Sequence, residues 1–356
     1  MRLTNNIGWC DATGNMAIGC SKKSPGCNNC YAERDTFARV QRHRGVETWG
    51  PAGVRIPVKG FAAKVRRLNK YFICDSCREL VPAGNSVCDN QNPSKCPTGS
   101  VRRIRLFGDS NSDWLDEKWP IETLADFLAL IHECRNIDFL LLTKRPENWR
   151  KRLELCAVIL GPDDIDHNNI ATRWVHFAQA PDNVWFGVSV ENQKFADERI
   201  PLLLKTPASV RFLSCEPLLG TVDIAKWLVP DECGCGGYDP AFKNCIDWVI
   251  VGGESGPKAR PCSIGWIREI VSQCKSAGVP VFVKQLGARP HENGAMIGSP
   301  QKGDWSNTAR LRDRKGGDPN EWPAELRIRE FPSSFRQNAE TSDQHGRAPQ
   351  TAEVSQ

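Results

Sequence analysis

The sequence predicts an α/β protein built on a partial or near-complete (β/α) barrel of parallel strands, with a cysteine-rich insertion. Three observations carry that prediction. Six short apolar runs recur along the chain, and segments with apolar residues three or four apart lie between them, which is the alternation that parallel strands joined by right-handed helical crossovers require. Polar or charged residues follow directly on each of the six runs, as they do at the carboxyl rim of a barrel. A chain of 356 residues, 40% of them hydrophobic, is long enough to bury such a core.

In chain order the strands are expected at Ile104–Gly108 (IRLFG), Phe139–Thr143 (FLLLT), Val184–Val190 (VWFGVSV), Val210–Ser214 (VRFLS), Trp248–Gly252 (WVIVG) and Val279–Val283 (VPVFV), with a further short strand before Cys20. Helical periodicity covers Ile121–Cys134, Pro146–Leu155, Gln193–Leu204 and Ile264–Ala277. The barrel is expected to span residues 1–287, interrupted by cysteine-rich insertions at about 72–98 and about 231–245. Residues 288–332 read as a polar C-terminal extension, and 333–356 as a tail too poor in apolar residues to fold.

Composition narrows the function classes. A net charge of +5, from 47 basic and 42 acidic residues, tolerates a phosphate-bearing partner without demanding one. The basic groups Arg42-His43-Arg44, Lys64 to Arg67 and Arg102 to Arg105 read first as solvated surface and second as the lining of a phosphate path. No run of about twenty apolar residues is present, and the N-terminus lacks the pattern of a secretory signal, so a cytoplasmic protein that does not engage a membrane is expected.

Sixteen cysteines in a long chain without a secretory signal point to thiolate metal ligation rather than a disulfide framework. In GCSKKSPGCNNCYAER, Cys20, Cys27 and Cys30 stand in C-x6-C-x2-C spacing ahead of a helix expected to begin at Tyr31. A structural zinc site needs four ligands, and only His43 is near enough in sequence to add one. Three thiolates suffice to hold a four-iron cluster by three irons, leaving the fourth open to an exogenous ligand. A second cluster, Cys74-x2-Cys77-x10-Cys88-x7-Cys96, matches a zinc ribbon, with an auxiliary iron–sulfur cluster as the alternative. The third, Cys233, Cys235 and Cys245, has C-x-C spacing awkward for one chelating turn and reads equally as incidental thiols.

Two strand ends stand out as ligand candidates. In VIVGGESG, the Gly252-Gly253 pair permits close backbone approach and presents Glu254; in SCEPLLG, Pro217 favours an extended Glu216. Ser189 ends a third strand. Both glutamates could instead pair with Lys144, Arg145 or Arg260 as scaffold.

Taken with LLTKRP, NVWFGVSVENQ, RIPLLL, VRFLSCEPLLG, IDWVIVGGESG and PVFVKQLG, the three-cysteine segment resembles the radical SAM superfamily. Within it the chain is most similar to a phage-associated branch labelled by phage gene products thirty-seven and sixty-eight. The superfamily motif has three residues between its first two cysteines and an aromatic before the last; here there are six, a loop length shared with that branch, and Asn29 precedes Cys30. The resemblance implies that Cys20, Cys27 and Cys30 ligate a four-iron four-sulfur cluster that binds S-adenosylmethionine and cleaves it to a 5′-deoxyadenosyl radical. It also implies an electron donor, and cofactor binding by Gly252, Gly253, Glu254, Glu216 and Ser189, with no residue assigned to catalysis. The phage association implies a modified nucleotide or DNA substrate in the host cytoplasm, most specifically radical isomerisation of an amino-acid-substituted thymidine. The alternative from another class is a metal-stabilised nucleic-acid-binding or nuclease-partner protein.

Overall fold

The computed structural model describes residues 3, 7–35, 45–90, 94, 96–161, 169–229, 245–292, 295–296 and 311–332. The expectations for Arg42-His43-Arg44, for Cys233 and Cys235, and for the 333–356 tail lie outside the described residues. Seven strands form one parallel sheet: β1 (Ala12–Gly14), β2 (Ile104–Gly108), β3 (Ile137–Thr143), β4 (Val184–Ser189), β5 (Val210–Cys215), β6 (Trp248–Gly252) and β7 (Val281–Gln285). Every neighbouring pair is parallel and the strands follow one another in sequence order, so each crossover advances the sheet in the same direction. β1 and β7 are its two edges, which makes the sheet a half-barrel.

Most expected elements fall within two residues of their places, and the departures have local causes. β7 starts two residues late because Pro280 has no N–H to donate to the ladder, and its carbonyl accepts from Val249 instead (3.2 Å). Lys284 and Gln285 therefore belong to the strand rather than following it. Pro146 opens a 3₁₀ turn (Pro146–Asn148), so the α-helix behind it runs over Trp149–Leu160. Gln193–Leu204 begins where Asn192 caps the Phe195 N–H, and Ile264–Ser276 where Ser263 caps Gly265.

Side-chain alternation sorts each strand between two layers. Outward residues such as Leu106, Phe139, Phe186, Leu213, Val249 and Val283 join the helices in the main core. At the amino half of the concave side, Trp185, Phe212, Trp248 and Phe282 pack with Trp9, Phe107 and Phe331 into an aromatic plug. Trp9 and Phe107 lie 4.6 Å apart, and Trp248 lies 5.8 Å from Phe212 and 5.4 Å from Phe331. Gly187 is required there, since a Cβ would come within 2.5 Å of the Phe212 ring. Farther along the same strands the inward positions become polar at Ser189, Ser214, Glu216 and Lys284. The half-barrel is thus closed by aromatics at one end and open at the other to a chamber with both polar and apolar walls.

Of the segment expected as a polar extension, residues 311–332 pack into this fold. Val283 N–H donates to Ile328 O (2.9 Å) and Glu330 N–H to Val281 O (3.0 Å), which covers the β7 edge. Leu311, Trp322 and Leu326 enter the main core and Phe331 the plug. The first cysteine-rich insertion forms a three-stranded antiparallel sheet (Tyr71–Cys74, Leu80–Pro82, Val101–Arg102). It docks at the amino ends of β1 and β2 through buried Asp11, which pairs with Arg102 (2.6 Å) and Arg78 and accepts from Arg105 N–H (2.8 Å). No described helix is long and apolar enough to cross a membrane.

Candidate functional site

At the carboxyl rim of the strands lies a cavity of about 1750 Å³, larger than the roughly 300–1,000 Å³ that usually holds one small ligand. Cys20, Cys27 and Cys30 line it together with the strand-end residues Asp109, Lys144, Arg145, Ser189, Glu216, Glu254 and Lys284. Among its described lining there is no fourth cysteine and no histidine.

The three-thiol loop is placed by groups far away in sequence. Gly19 bridges to Ser112 beyond the end of β2 with φ +113°, and a Cβ there would strike Thr48 O at 2.4 Å, so glycine is needed to bring Cys20 to the rim. Ser24 Oγ donates to Glu191 Oε1 (2.6 Å), and Arg199 holds the other Glu191 oxygen (2.9 Å). A Cβ on Gly26 would lie 2.5 Å from the same carboxylate. On the opposite side Asn29 Nδ2 donates to Glu254 Oε2 (3.0 Å), while Arg260 pairs with Glu254 (2.6 Å) and donates to Pro25 O (2.9 Å). Asn29, the residue before Cys30, is therefore the anchor that Glu254 grips. Helical backbone then begins at residue 31.

Geometry divides the expected cofactor residues into two groups. Glu216 and Ser189 face the cavity: Lys284 Nζ contacts both Glu216 oxygens (2.7 and 2.6 Å), and Lys144 Nζ donates to Ser189 Oγ (3.0 Å). Gly252 and Gly253 are absent from the cavity wall. Added Cβ atoms would lie 2.9 Å from Gln285 O and 2.3 Å from Leu286 O, so the pair lets β6 leave the sheet pressed against β7. Glu254 reaches the cavity but is spent on the cysteine loop. Burial would raise its pKa, yet hydrogen bonds from Arg260 and Asn29 outweigh that and hold it below the ordinary 4.5. The cation responsible is Arg260, one of the three scaffold partners expected for it, while Lys144 and Arg145 pair elsewhere.

A depressed carboxylate contributes stability that is complete above its unfolded pKa and lost as pH falls through the folded value. Glu254→Gln should therefore unfold more easily than wild type at pH 7, by about 1–3 kcal/mol for the weakened charged hydrogen bonds. The gap should close as pH drops below the ordinary glutamate range. Thermal unfolding of both proteins across that range checks this, and a pH-independent gap would assign the loss to packing.

Three rim residues carry more than sequence reasoning drew from them. Asp109 is buried in the left-handed region (φ 62°), where only one carboxylate oxygen is paired, to the N–H groups of Met16 (2.9 Å) and Ala17 (3.4 Å). Apart from the weak attraction between the two, neither Asp109 Oδ2 nor Ser112 Oγ meets a hydrogen-bond partner among the described residues; both residues line the cavity beside Cys20. Burial pushes Asp109 up to about 7, tempered by Ser112 and the two backbone N–H groups. Arg145 donates to Cys20 Sγ (3.7 Å) from a buried position. The signal available in sequence was the polar run DSNSD after β2, in which nothing separates a paired aspartate from an unpaired one.

Burial pushes Cys20 up to about 12 and raises Cys30, as it does the core cysteines Cys156, Cys262 and Cys274, so the unliganded thiols are protonated near neutral pH. The three rim thiols do not gather around a single ion. Cys74, Cys77, Cys88 and Cys96 do: their sulfurs all lie within 4.8 Å of one another, with Cys74–Cys96 at 3.4 Å and Cys77–Cys88 at 3.6 Å. Cys245, the one described thiol of the third cluster, is buried.

No curated protein and no solved structure matches this chain. One family model does, and its match from residue 4 to residue 348 takes in the three-thiol loop, the four-thiol insertion and all seven strands. By that near-complete match, the chain belongs to the family described as protein of unknown function (DUF5131).

Proposed function

We propose that this protein is a radical SAM enzyme. The observation that carries the reading is the set of three thiols, without a fourth cysteine or a histidine among the described lining, on a clamped loop at the carboxyl rim of a parallel half-barrel and facing one large cavity. Sulfurs on separate irons of a cluster stand farther apart than sulfurs sharing one ion, which fits their failure to form a single-ion group. When bound, a four-iron four-sulfur cluster and S-adenosylmethionine supply a 5′-deoxyadenosyl radical after one-electron reduction by an external donor.

The chain's own residues do the rest. Cys20, Cys27 and Cys30 hold the cluster, and the Ser24–Glu191 and Asn29–Glu254 contacts keep the loop from shifting as a ligand enters. Asp109 Oδ2 and Ser112 Oγ offer unpaired polar atoms to ligand N–H or O–H groups. The Glu216–Lys284 and Ser189–Lys144 pairs form the polar wall, and the aromatic plug excludes water from the amino end. A cavity larger than one small ligand needs leaves room for a substrate beside the cofactor. Following the resemblance, that substrate is a modified nucleotide or DNA in the cytoplasm of a phage host, and the reaction the isomerisation of an amino-acid-substituted thymidine.

The four-thiol site is zinc in this reading. A tetrahedral ion with Zn–S bonds of about 2.3 Å sets its sulfurs about 3.8 Å apart, close to the observed 3.4 and 3.6 Å. Its place at the amino ends of the strands, away from the rim, suits a structural metal. Anaerobic reconstitution with iron and sulfide, followed by dithionite and S-adenosylmethionine, tests the whole reading. About four irons per chain and release of 5′-deoxyadenosine are expected. A protein that binds only the insertion's metal and cleaves nothing would favour the nucleic-acid-binding alternative.

A further inference from the structure

The three rim thiols differ in what touches them. Cys27 has the Ser24 hydroxyl at 3.9 Å, and Cys30 lies at the start of the helical segment near the backbone N–H groups of Ala32 and Glu33. Cys20 is the thiol that receives a side-chain cation, through Arg145 Nη1 at 3.7 Å. The neighbouring Lys144 makes its contacts with Ser189 and Glu191, and its charge reaches Cys27 and Cys30 without a hydrogen bond to either sulfur.

Arg145 has no freedom to leave. Its Nη1 also reaches Asp113 Oδ2 (2.9 Å), and its Nη2 donates to Ser21 O (2.8 Å) and Ser21 Oγ (3.0 Å). Glu117 and Asp116 flank it at 3.5 and 3.9 Å. Asp113 is in turn fixed by Thr143 Oγ1 (2.6 Å), Lys144 N–H (2.9 Å) and Leu115 N–H (3.2 Å). The guanidinium is 3% exposed, so its charge and its N–H act on the sulfur through little water. Only a planar fork serves Asp113, Ser21 and the sulfur together.

We propose that Arg145 sets the reduction potential of the cluster held by Cys20, Cys27 and Cys30, with Asp113 as its counterweight. The inference rests on the radical SAM reading. Reduction takes one electron from an external low-potential donor and leaves the cluster one charge more negative. An N–H donor and a positive charge at a cluster sulfur stabilise that reduced form and raise the potential, while a nearby carboxylate opposes it. Arg145 is accordingly a positioning residue that acts through Cys20.

The test is an anaerobic redox titration of the reconstituted full-length protein without S-adenosylmethionine, followed by electron paramagnetic resonance. R145Q should move the midpoint to a more negative potential. R145K should move it the same way by less, because an ammonium keeps the charge but cannot serve all three partners. D113N removes the opposing charge while its single amide oxygen stays on Arg145 and the Lys144 N–H and its NH2 turns to the Thr143 hydroxyl oxygen, and should move the midpoint the other way. Opposite shifts are a signature that general loosening of the loop would not produce. If R145Q, which leaves buried Asp113 without its cation, fails to hold iron, R145K and D113N decide the matter. Unshifted midpoints, or shifts of the same sign in R145K and D113N, with wild-type iron content overturn this inference alone. A wild-type protein that takes up no cluster overturns the radical SAM reading and this inference with it.

Discussion

Replacing Cys20, Cys27 and Cys30 together with alanine should abolish iron uptake at the rim and reductive cleavage of S-adenosylmethionine while leaving the fold in place. The loop does not depend on its sulfurs for position. Ser24 and Gly26 are held against Glu191, Pro25 O by Arg260, and Asn29 by Glu254, and none of these contacts involves a thiol. All three cysteines are partly exposed, so truncation to alanine creates no core cavity. Iron analysis, a 5′-deoxyadenosine assay and thermal unfolding of the triple variant check the three parts separately. Normal cleavage by that variant would remove the basis of the proposed function, and global unfolding would show that the thiols also serve the scaffold.

With zinc held by the four thiols as proposed, its removal from the insertion should have the largest effect on stability. Its own core consists of Cys74, Val81 and Cys96 with Cys77, Cys88 and Val101 against them, too little apolar surface to fold three short strands without the energy of metal binding. A Cys74→Ser/Cys96→Ser variant should lose one equivalent of zinc and melt the insertion. The loss should reach the barrel, because Arg78 and Arg102 come from the insertion and neutralise buried Asp11 at the start of β1. Burial would raise the pKa of Asp11, but Arg102, Arg78 and the Arg105 N–H reverse this and hold it below 3.8. Stripping those partners from a buried carboxylate costs about 3–5 kcal/mol. The wild-type contribution is complete above the ordinary aspartate range and is lost as pH falls through the lower folded value. Metal analysis with thermal unfolding, with and without a chelator, measures this. Zinc removal that leaves the unfolding temperature unchanged would make the site incidental to the barrel.

Residues that answer to their immediate neighbours were legible in the sequence. Ile104–Gly108 and Trp248–Gly252 occupy the expected strands because a fully buried parallel strand needs an unbroken apolar run, and Gln193–Leu204 the expected helix because Asn192 starts it. The four-thiol group was legible because its leading C-x2-C pair constrains both sulfurs through three peptide units. β7 was displaced by a proline inside the apolar run, a local signal that the run's hydrophobicity concealed.

The arrangement of the rim was not legible, since its deciding contacts join positions that sequence proximity says nothing about. Asn29 meets Glu254 across 225 positions, Ser24 meets Glu191 across 167, and Cys20 meets Arg145 across 125. The chain alone determined a parallel α/β framework, three thiols in one loop and a four-thiol insertion, because side-chain period and chelate spacing are properties of a few consecutive residues. Only the tertiary structure decided that Glu254 and Glu191 grip the cysteine loop, that Gly252 and Gly253 serve strand packing, that Asp109 Oδ2 stays unpaired and that a buried cation touches Cys20. Hydrogen bonding and desolvation act over a few ångströms of space, and it is the winding of the half-barrel that brings seven distant strand ends within that range.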